Sequence, residues 1–213
     1  MVRVKICGVT NPADAQLAAE LGAHAIGLNF YPQSPRSISP RDAAKIIQAL
    51  PPFVAAAGVF VNWSAGPVIA LAKALRLSAA QLHGDETVQT CAAIATQIPV
   101  IKVFRLKKGS SQPTFAKYCS ASAFLLDAAS PMNFGGTGKT IDWALARRAA
   151  TRHRIILAGG LTPENVAEAI LAVRPYAVDV ASGGESRPGK KDPARLQEFF
   201  AEVARANREL SAS

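Results

Sequence analysis

No apolar run in this sequence approaches the length that a bilayer-spanning helix needs. The opening Met1–Gly8 stretch is short and carries Arg3 and Lys5, so it does not read as a secretory signal. Cysteine is scarce. Cys7, Cys91 and Cys119 cannot all pair, and none stands in a CxxC or metal-ligand spacing, which sets aside a disulfide framework and a thiolate metal site. A reducing, cytoplasmic setting is the expectation. Aromatic residues are few and do not interleave with the basic ones, so the stacking surface of a nucleic-acid binder is missing.

Positive charge, by contrast, is plentiful, with a formal net charge of +9. It is dispersed. Arg147-Arg148 with Arg152 and Arg154 form the densest group, and Lys107-Lys108 and Lys190-Lys191 are isolated pairs. Such a field suits an anionic metabolite better than a polynucleotide. Because no stretch is charge-dense, disorder is expected only at the polar end, Asn207–Ser213.

Repetition is what the chain does have. Eight short apolar runs recur: Val2–Ile6, Ala25–Leu28, Val54–Phe60, Ala79–Leu82, Val100–Phe104, Ala123–Leu126, Ile155–Ala158 and Ala177–Val180. Between them lie helix-periodic segments over Pro12–Leu21, Pro40–Leu50, Ala65–Leu75, Glu86–Gln97, Trp143–Ala150, Pro163–Val173 and Pro193–Asn207, with a shorter one over Thr114–Ser120. Each repeat fits one strand, one helix and two short connections. The strands do not strictly alternate, as expected where both faces are buried in a parallel sheet. The prediction is an α/β protein, a single (β/α)8 TIM barrel over residues 1–213. A doubly wound open sheet is the rival, but the glycine-rich phosphate loop expected after its first strand is missing.

Four helix starts share one grammar, a capping residue and then proline: Asn11-Pro12, Ser39-Pro40, Thr162-Pro163 and Asp192-Pro193. The cap accepts from an orphan amide, and proline sits where no amide is needed.

The apolar runs end in residues that can do chemistry, where a barrel builds its active site. Cys7 closes the first run. A cysteine in an apolar run usually packs a core, but at the rim of a barrel a nearby cation could make it a base or nucleophile. Asp127 follows Phe124-Leu125-Leu126; a carboxyl there could hold its proton as a general acid, or pair with Lys5, Lys102 or Arg105. His83 reaches the rim after the fourth run, for substrate contact or for bracing loops. Arg36, in Ser34-Pro35-Arg36-Ser37, suits bidentate capture of a carboxylate, or is simply a solvated loop residue.

Gly135–Thr140 imitates an ATP-binding phosphate loop but lacks its first glycine, since Asn133 stands there; it reads instead as a mobile loop over the active site. Two further glycine turns carry more weight. Gly159-Gly160 follows the seventh run, and Ser182-Gly183 follows the eighth, just past Asp179. Glycines let backbone amides approach an anion, and these are the loops where barrels bind phosphate. A phosphorylated ligand is inferred.

Taken together, the stretches Lys5–Thr10, Gly27–Ile38, Gly58–Asn62, Gln81–Asp85, Leu126–Trp143, Gly159–Val166 and Val178–Asp192 resemble the phosphoribosylanthranilate isomerase family over essentially the whole chain. The resemblance implies a cofactor-free, metal-free Amadori rearrangement in tryptophan biosynthesis, acting on a small phosphosugar without nucleic acid or membrane. It implies Cys7 as general base and Asp127 as general acid. Arg36 is implied for the anthranilate carboxylate and the glycine loops for the phosphate, with His83 and Asp179 as helpers, in a monomer or homodimer. Ala158 and Ala181 stand where the family often has serine, Gly184 where valine is common and Ile141 where phenylalanine is usual.

The rival readings are distinguishable. The histidine-pathway aminoaldose isomerase would place aspartate where Cys7 stands. Indole-glycerol-phosphate synthase would use a lysine–glutamate pair and an N-terminal extension. A non-catalytic phosphometabolite binder would keep the glycine loops without needing an acid and a base.

Overall fold

A computed structural model describes residues 1–106, 113–128 and 142–212. Eight parallel strands close into a barrel in sequence order, β1 pairing with both β2 and β8. They are β1 (Arg3–Cys7), β2 (Ala25–Asn29), β3 (Ala55–Phe60), β4 (Ala79–Leu82), β5 (Val100–Leu106), β6 (Ala123–Ala128), β7 (Ile155–Leu157) and β8 (Ala177–Val180). The described helices are α1 (Pro12–Glu20), α2 (Pro40–Gln48), α3 (Ala65–Leu75), α4 (Val88–Ala95), α5 (Trp143–Ala150), α6 (Val166–Val173) and α7 (Pro193–Ala212). After β5 the helical place is taken by a 3-10 turn, Phe115–Tyr118. None of the described helices is long and apolar enough to cross a membrane.

Strand parity divides the core in two. Residues two apart on a strand share a face. One set (Val103, Leu125, Ile156, Ala158 and Ala177 among them) packs against itself as a separate apolar cluster. The alternate set (Ile6, Ile26, Phe60, Leu82, Leu126 and Val178 among them) packs with the helices in the main cluster. Ala15 and Ala18 of α1 and Ala146 and Ala149 of α5 are wholly buried there, small residues that let helices approach the sheet.

Three of the four cap-and-proline starts form. Asn11 Oδ1 accepts from the Asp14 amide, Ser39 Oγ from that of Asp42 and Asp192 Oδ1 from that of Arg195. Thr162 does not start α6. The amide of Thr162 donates to Asn165 Oδ1 instead, Pro163–Asn165 forms a turn, and the helix begins at Val166. Within the polar stretch where fraying is expected, α7 continues to Ala212. Asn207 secures it, its Oδ1 accepting from the Val2 amide at 2.7 Å and its Nδ2 donating to the Val2 carbonyl. After β8 the chain adds a small antiparallel hairpin, β9 (Glu185–Arg187) with β10 (Lys190–Lys191).

Candidate active site

At the C-terminal mouth of the barrel lies an open cleft of about 700 Å³. All nine residues singled out from the sequence line it: Cys7, Arg36, His83, Asp127, Gly159, Gly160, Asp179, Ser182 and Gly183. The Gly135–Thr140 segment, Ile141 and Lys107-Lys108 lie outside the described residues.

One wall is built by β1 and β8. Lys5 and Asp179 are register partners across that seam, and Lys5 Nζ donates to Asp179 Oδ1 at 2.7 Å with both side chains buried. Cys7, two residues on from Lys5, faces the same side. Opposite it in register is Gly27 of β2. A Cβ on Gly27 would lie 2.7 Å from Cys7 Sγ and 2.9 Å from Lys5 Nζ, so sulfur and ammonium share a socket that only glycine leaves open. Burial pushes the Cys7 thiol up, the Lys5 ammonium draws it back and Asp179 pushes it up again; the net direction is up. Burial also works against the Lys5 ammonium, but Asp179 and Cys7 outweigh it and hold that group above the ordinary lysine value. Lys5 is therefore a standing cation beside the thiol.

A second wall comes from β4 and β6. Asp127 Oδ1 accepts from the Ala128 amide at 2.8 Å, and Oδ2 lies 3.2 Å from His83 Nε2. His83 Nδ1 lies 3.1 Å from Gln81 Nε2. In this orientation of the Gln81 amide its nitrogen donates and Nδ1 accepts, which assigns the ring proton to Nε2, facing Asp127. The other end of that amide, Gln81 Oε1, is buried and has no partner among the described residues. Asp127 pairs with none of the cations expected from the sequence. Lys5 is held by Asp179, Arg105 reaches Asp85 and Lys102, on the other face of β5, donates to Glu86 Oε2 at 2.6 Å. Position along a strand could not distinguish these partners; His83 wins because it points across the mouth from β4.

The far end of the cleft is backbone. Gly159 and Gly160 have φ of +80° and +65°, the left-handed region that favours glycine. A Cβ on Gly183 would overlap the Leu161 carbonyl, so the loops after β7 and β8 touch main chain to main chain. The amides of Gly160, Ser182 and Gly183 have no protein acceptor among the described residues. Free amides in a glycine-rich turn can receive an anion, and Ala158 and Ala181 bring no side-chain hydroxyl beside them.

Arg36 is less free than a loop arginine. Its Nε donates to Glu185 Oε1 at 2.8 Å and its Nη2 to Glu185 Oε2 at 2.6 Å. Glu185 also accepts from Lys191 at 2.9 Å, so Lys191 is no isolated surface charge. Lys5, Gln81, Glu185 and Lys191 were not among the candidates read from the sequence. For the first two a signal existed: each stands two residues before a tip residue, on the same face.

Fold and cleft define a TIM-barrel enzyme whose mouth is lined by titratable side chains at one end and by free backbone amides at the other. A family model described as N-(5'-phosphoribosyl)anthranilate (PRA) isomerase matches residues 4–202, and the chain belongs to this family. An N-(5'-phosphoribosyl)anthranilate isomerase from Trichlorobacter lovleyi is 53% identical over 201 residues, 94% of this chain and 97% of that protein. The crystal structure of phosphoribosyl anthranilate isomerase from Thermotoga maritima superposes with a TM-score of 0.89 at 45% identity, covering 96% of this chain and 99% of that one. The crystal structure of a phosphoribosyl anthranilate isomerase in complex with reduced 1-(o-carboxyphenylamino)-1-deoxyribulose 5-phosphate gives a TM-score of 0.82 at 42% identity, covering 96% of this chain and 99% of that one. Among the described residues no group of three or more His, Cys, Asp and Glu is placed to hold a metal ion.

Proposed function

We propose that this chain converts N-(5'-phosphoribosyl)anthranilate into 1-(2-carboxyphenylamino)-1-deoxyribulose 5-phosphate, a step of tryptophan biosynthesis. The observation that carries this reading is one cleft holding a thiol beside an ammonium, a carboxyl beside an imidazole, and free amides at its end. A small phosphosugar fills such a cleft, with its phosphate on the loops after β7 and β8. Three thiols that form no disulfide suit a reducing compartment, and the cytoplasm is the proposed location.

In the reaction Asp127 gives a proton to the furanose ring oxygen, the ring C–O bond breaks, and the anilino nitrogen's lone pair forms a C1'=N iminium. That proton is the carboxyl's own; His83 keeps its Nε2 proton and orients the Asp127 carboxyl through it. Cys7, as thiolate, removes the proton on C2', and the C–H electron pair moves toward the iminium nitrogen to give an enolamine. A proton lost from the C2' hydroxyl and one gained at C1' then yield the aminoketone. The nitrogen cation is the electron sink, so the electrons balance without an outside redox partner. Lys5 supports the thiolate, Asp179 fixes Lys5, and Arg36 takes the carboxylate of the aromatic ring.

A fluorescence assay with substrate generated in situ tests this directly, following loss of the anthranilate signal. Cys7→Ala and Asp127→Asn are expected to fold normally and to lose at least about 10²-fold in kcat, the usual scale for a missing acid or base. Full activity in either variant overturns its assigned role.

A further inference from the structure

Lys191 is 1% exposed, less than any other charged residue described, and the reaction as written has no use for it. Its Nζ donates to Cys7 O at 2.6 Å, to Ala181 O at 3.3 Å and to Glu185 Oε1 at 2.9 Å. Burial works against the charge on Lys191 and pushes its pKa down, yet three acceptors call for three N–H bonds, which an ammonium has and a neutral amine lacks. Glu185 therefore lies between two cations, with Arg36 on one side and Lys191 on the other. Its own side chain is 3% exposed, so little water screens the trio.

This arrangement answers a difficulty in the reading of Arg36. A guanidinium paired bidentately with a carboxylate is close to neutral as a unit and has little long-range pull on a second carboxylate. With Glu185 alone beside it, Arg36 would be well oriented yet electrostatically spent. Adding the Lys191 ammonium leaves the trio with one net positive charge, and Arg36 is its member that lines the cleft.

We propose that Lys191 is a positioning residue for substrate recognition: by offsetting Glu185 it lets a rigidly held Arg36 still attract a carboxylated aromatic ring. This inference rests on the proposed assignment of Arg36 to the anthranilate carboxylate. The recognised group is an arene carboxylate, and the ring without that carboxylate is the natural control.

The experiment compares kcat/KM for two substrates made by condensing ribose 5-phosphate with anthranilate or with aniline. The readout is the ratio between them, with the fold of each variant checked by near-UV circular dichroism. Lys191→Met is expected to lower the preference for the carboxylated substrate about tenfold, mainly through KM, less than the loss of a directly bonded charge partner because Lys191 acts on the substrate only through Glu185 and Arg36. The double variant Lys191→Met/Glu185→Gln is expected to recover most of that preference, because Arg36 is no longer neutralised. A role in packing alone predicts equal losses on both substrates and no recovery, and that pattern overturns the proposal.

If Lys191→Met does not fold, Glu185→Gln and the double variant carry the test. Both are expected to keep the preference, and a tenfold fall in either overturns the proposal. Arg36→Ala separates the two levels. If it leaves the preference intact, the carboxylate assignment fails and this inference with it. If it abolishes the preference while Lys191→Met does not, only the inference fails.

Discussion

Lys5 Nζ and Asp179 Oδ1 are 2.7 Å apart across the seam where the barrel closes, and the Cys7 sulfur shares the socket of that ammonium. The ionisation of this thiol, the proposed base, thus depends on a neighbour two residues back and a partner 174 residues away.

The first prediction concerns pH. The thiolate is the active form, burial pushes the thiol up and Lys5 draws it down. The alkaline rise of kcat/KM should therefore lie above the ordinary thiol range, and removing Lys5 should move it higher still. Lys5→Met alone strands Asp179, at about 3–5 kcal/mol for a broken buried pair, so it is best made together with Asp179→Asn and compared with Asp179→Asn alone, which takes away the group that pushes the thiol up. The rate of Cys7 alkylation by iodoacetamide against pH checks the shift. An unmoved profile removes Lys5 from the mechanism.

Gly27→Ala tests the socket itself. A methyl group there meets both Cys7 Sγ and Lys5 Nζ within 3 Å, so turnover should fall by about 10²-fold, the scale for an ångström of misplacement. Gly66→Ala, in α3 with open space around it, serves as the control and should leave kcat unchanged. Steady-state kinetics on both variants decides the matter.

His83 should be found with its proton on Nε2 when the ring is neutral, because Gln81 Nε2 faces Nδ1. Long-range ¹H–¹⁵N correlation spectra read the tautomer directly. Gln81→Met should mix the two tautomers and lower kcat several-fold with little change in KM. A single Nδ1–H tautomer in the parent protein contradicts the assignment.

Acid stability gives a further check. Burial works against the Glu185 carboxylate, yet Arg36 and Lys191 outweigh it and hold its pKa below the ordinary value. A depressed carboxyl contributes stability that is fully present above the unfolded pKa and is lost as pH falls through the folded one. The melting temperature of the parent should therefore drop on acidification below the ordinary glutamate range, and that of Glu185→Gln should drop less over the same window. Identical slopes by calorimetry would count against the network.

Much of this molecule was legible before its coordinates. Cys7, His83 and Asp127 stood out because a polar residue closing an apolar run has few structural reasons to be there. The eight strands appear at nearly the expected positions, with β4 and β8 matching residue for residue. Other features depend on closure rather than on local pattern. Nothing in the sequence near Asp127 says that its neighbour is His83 and not Lys5, because register and barrel curvature decide which tips converge. Lys191 sits in a polar stretch that reads as surface and is buried only because β9 and β10 fold back over the β1 tip. The α7 tail looked too polar to persist, yet Asn207 finds Val2, a contact 205 residues distant in sequence.

That last contact has a practical reach. Val2 enters β1 at the base of the barrel, whereas Cys7 leaves it at the mouth, so β1 and α7 are tied together on the side away from the cleft. A probe placed on that face stays clear of the substrate's way in.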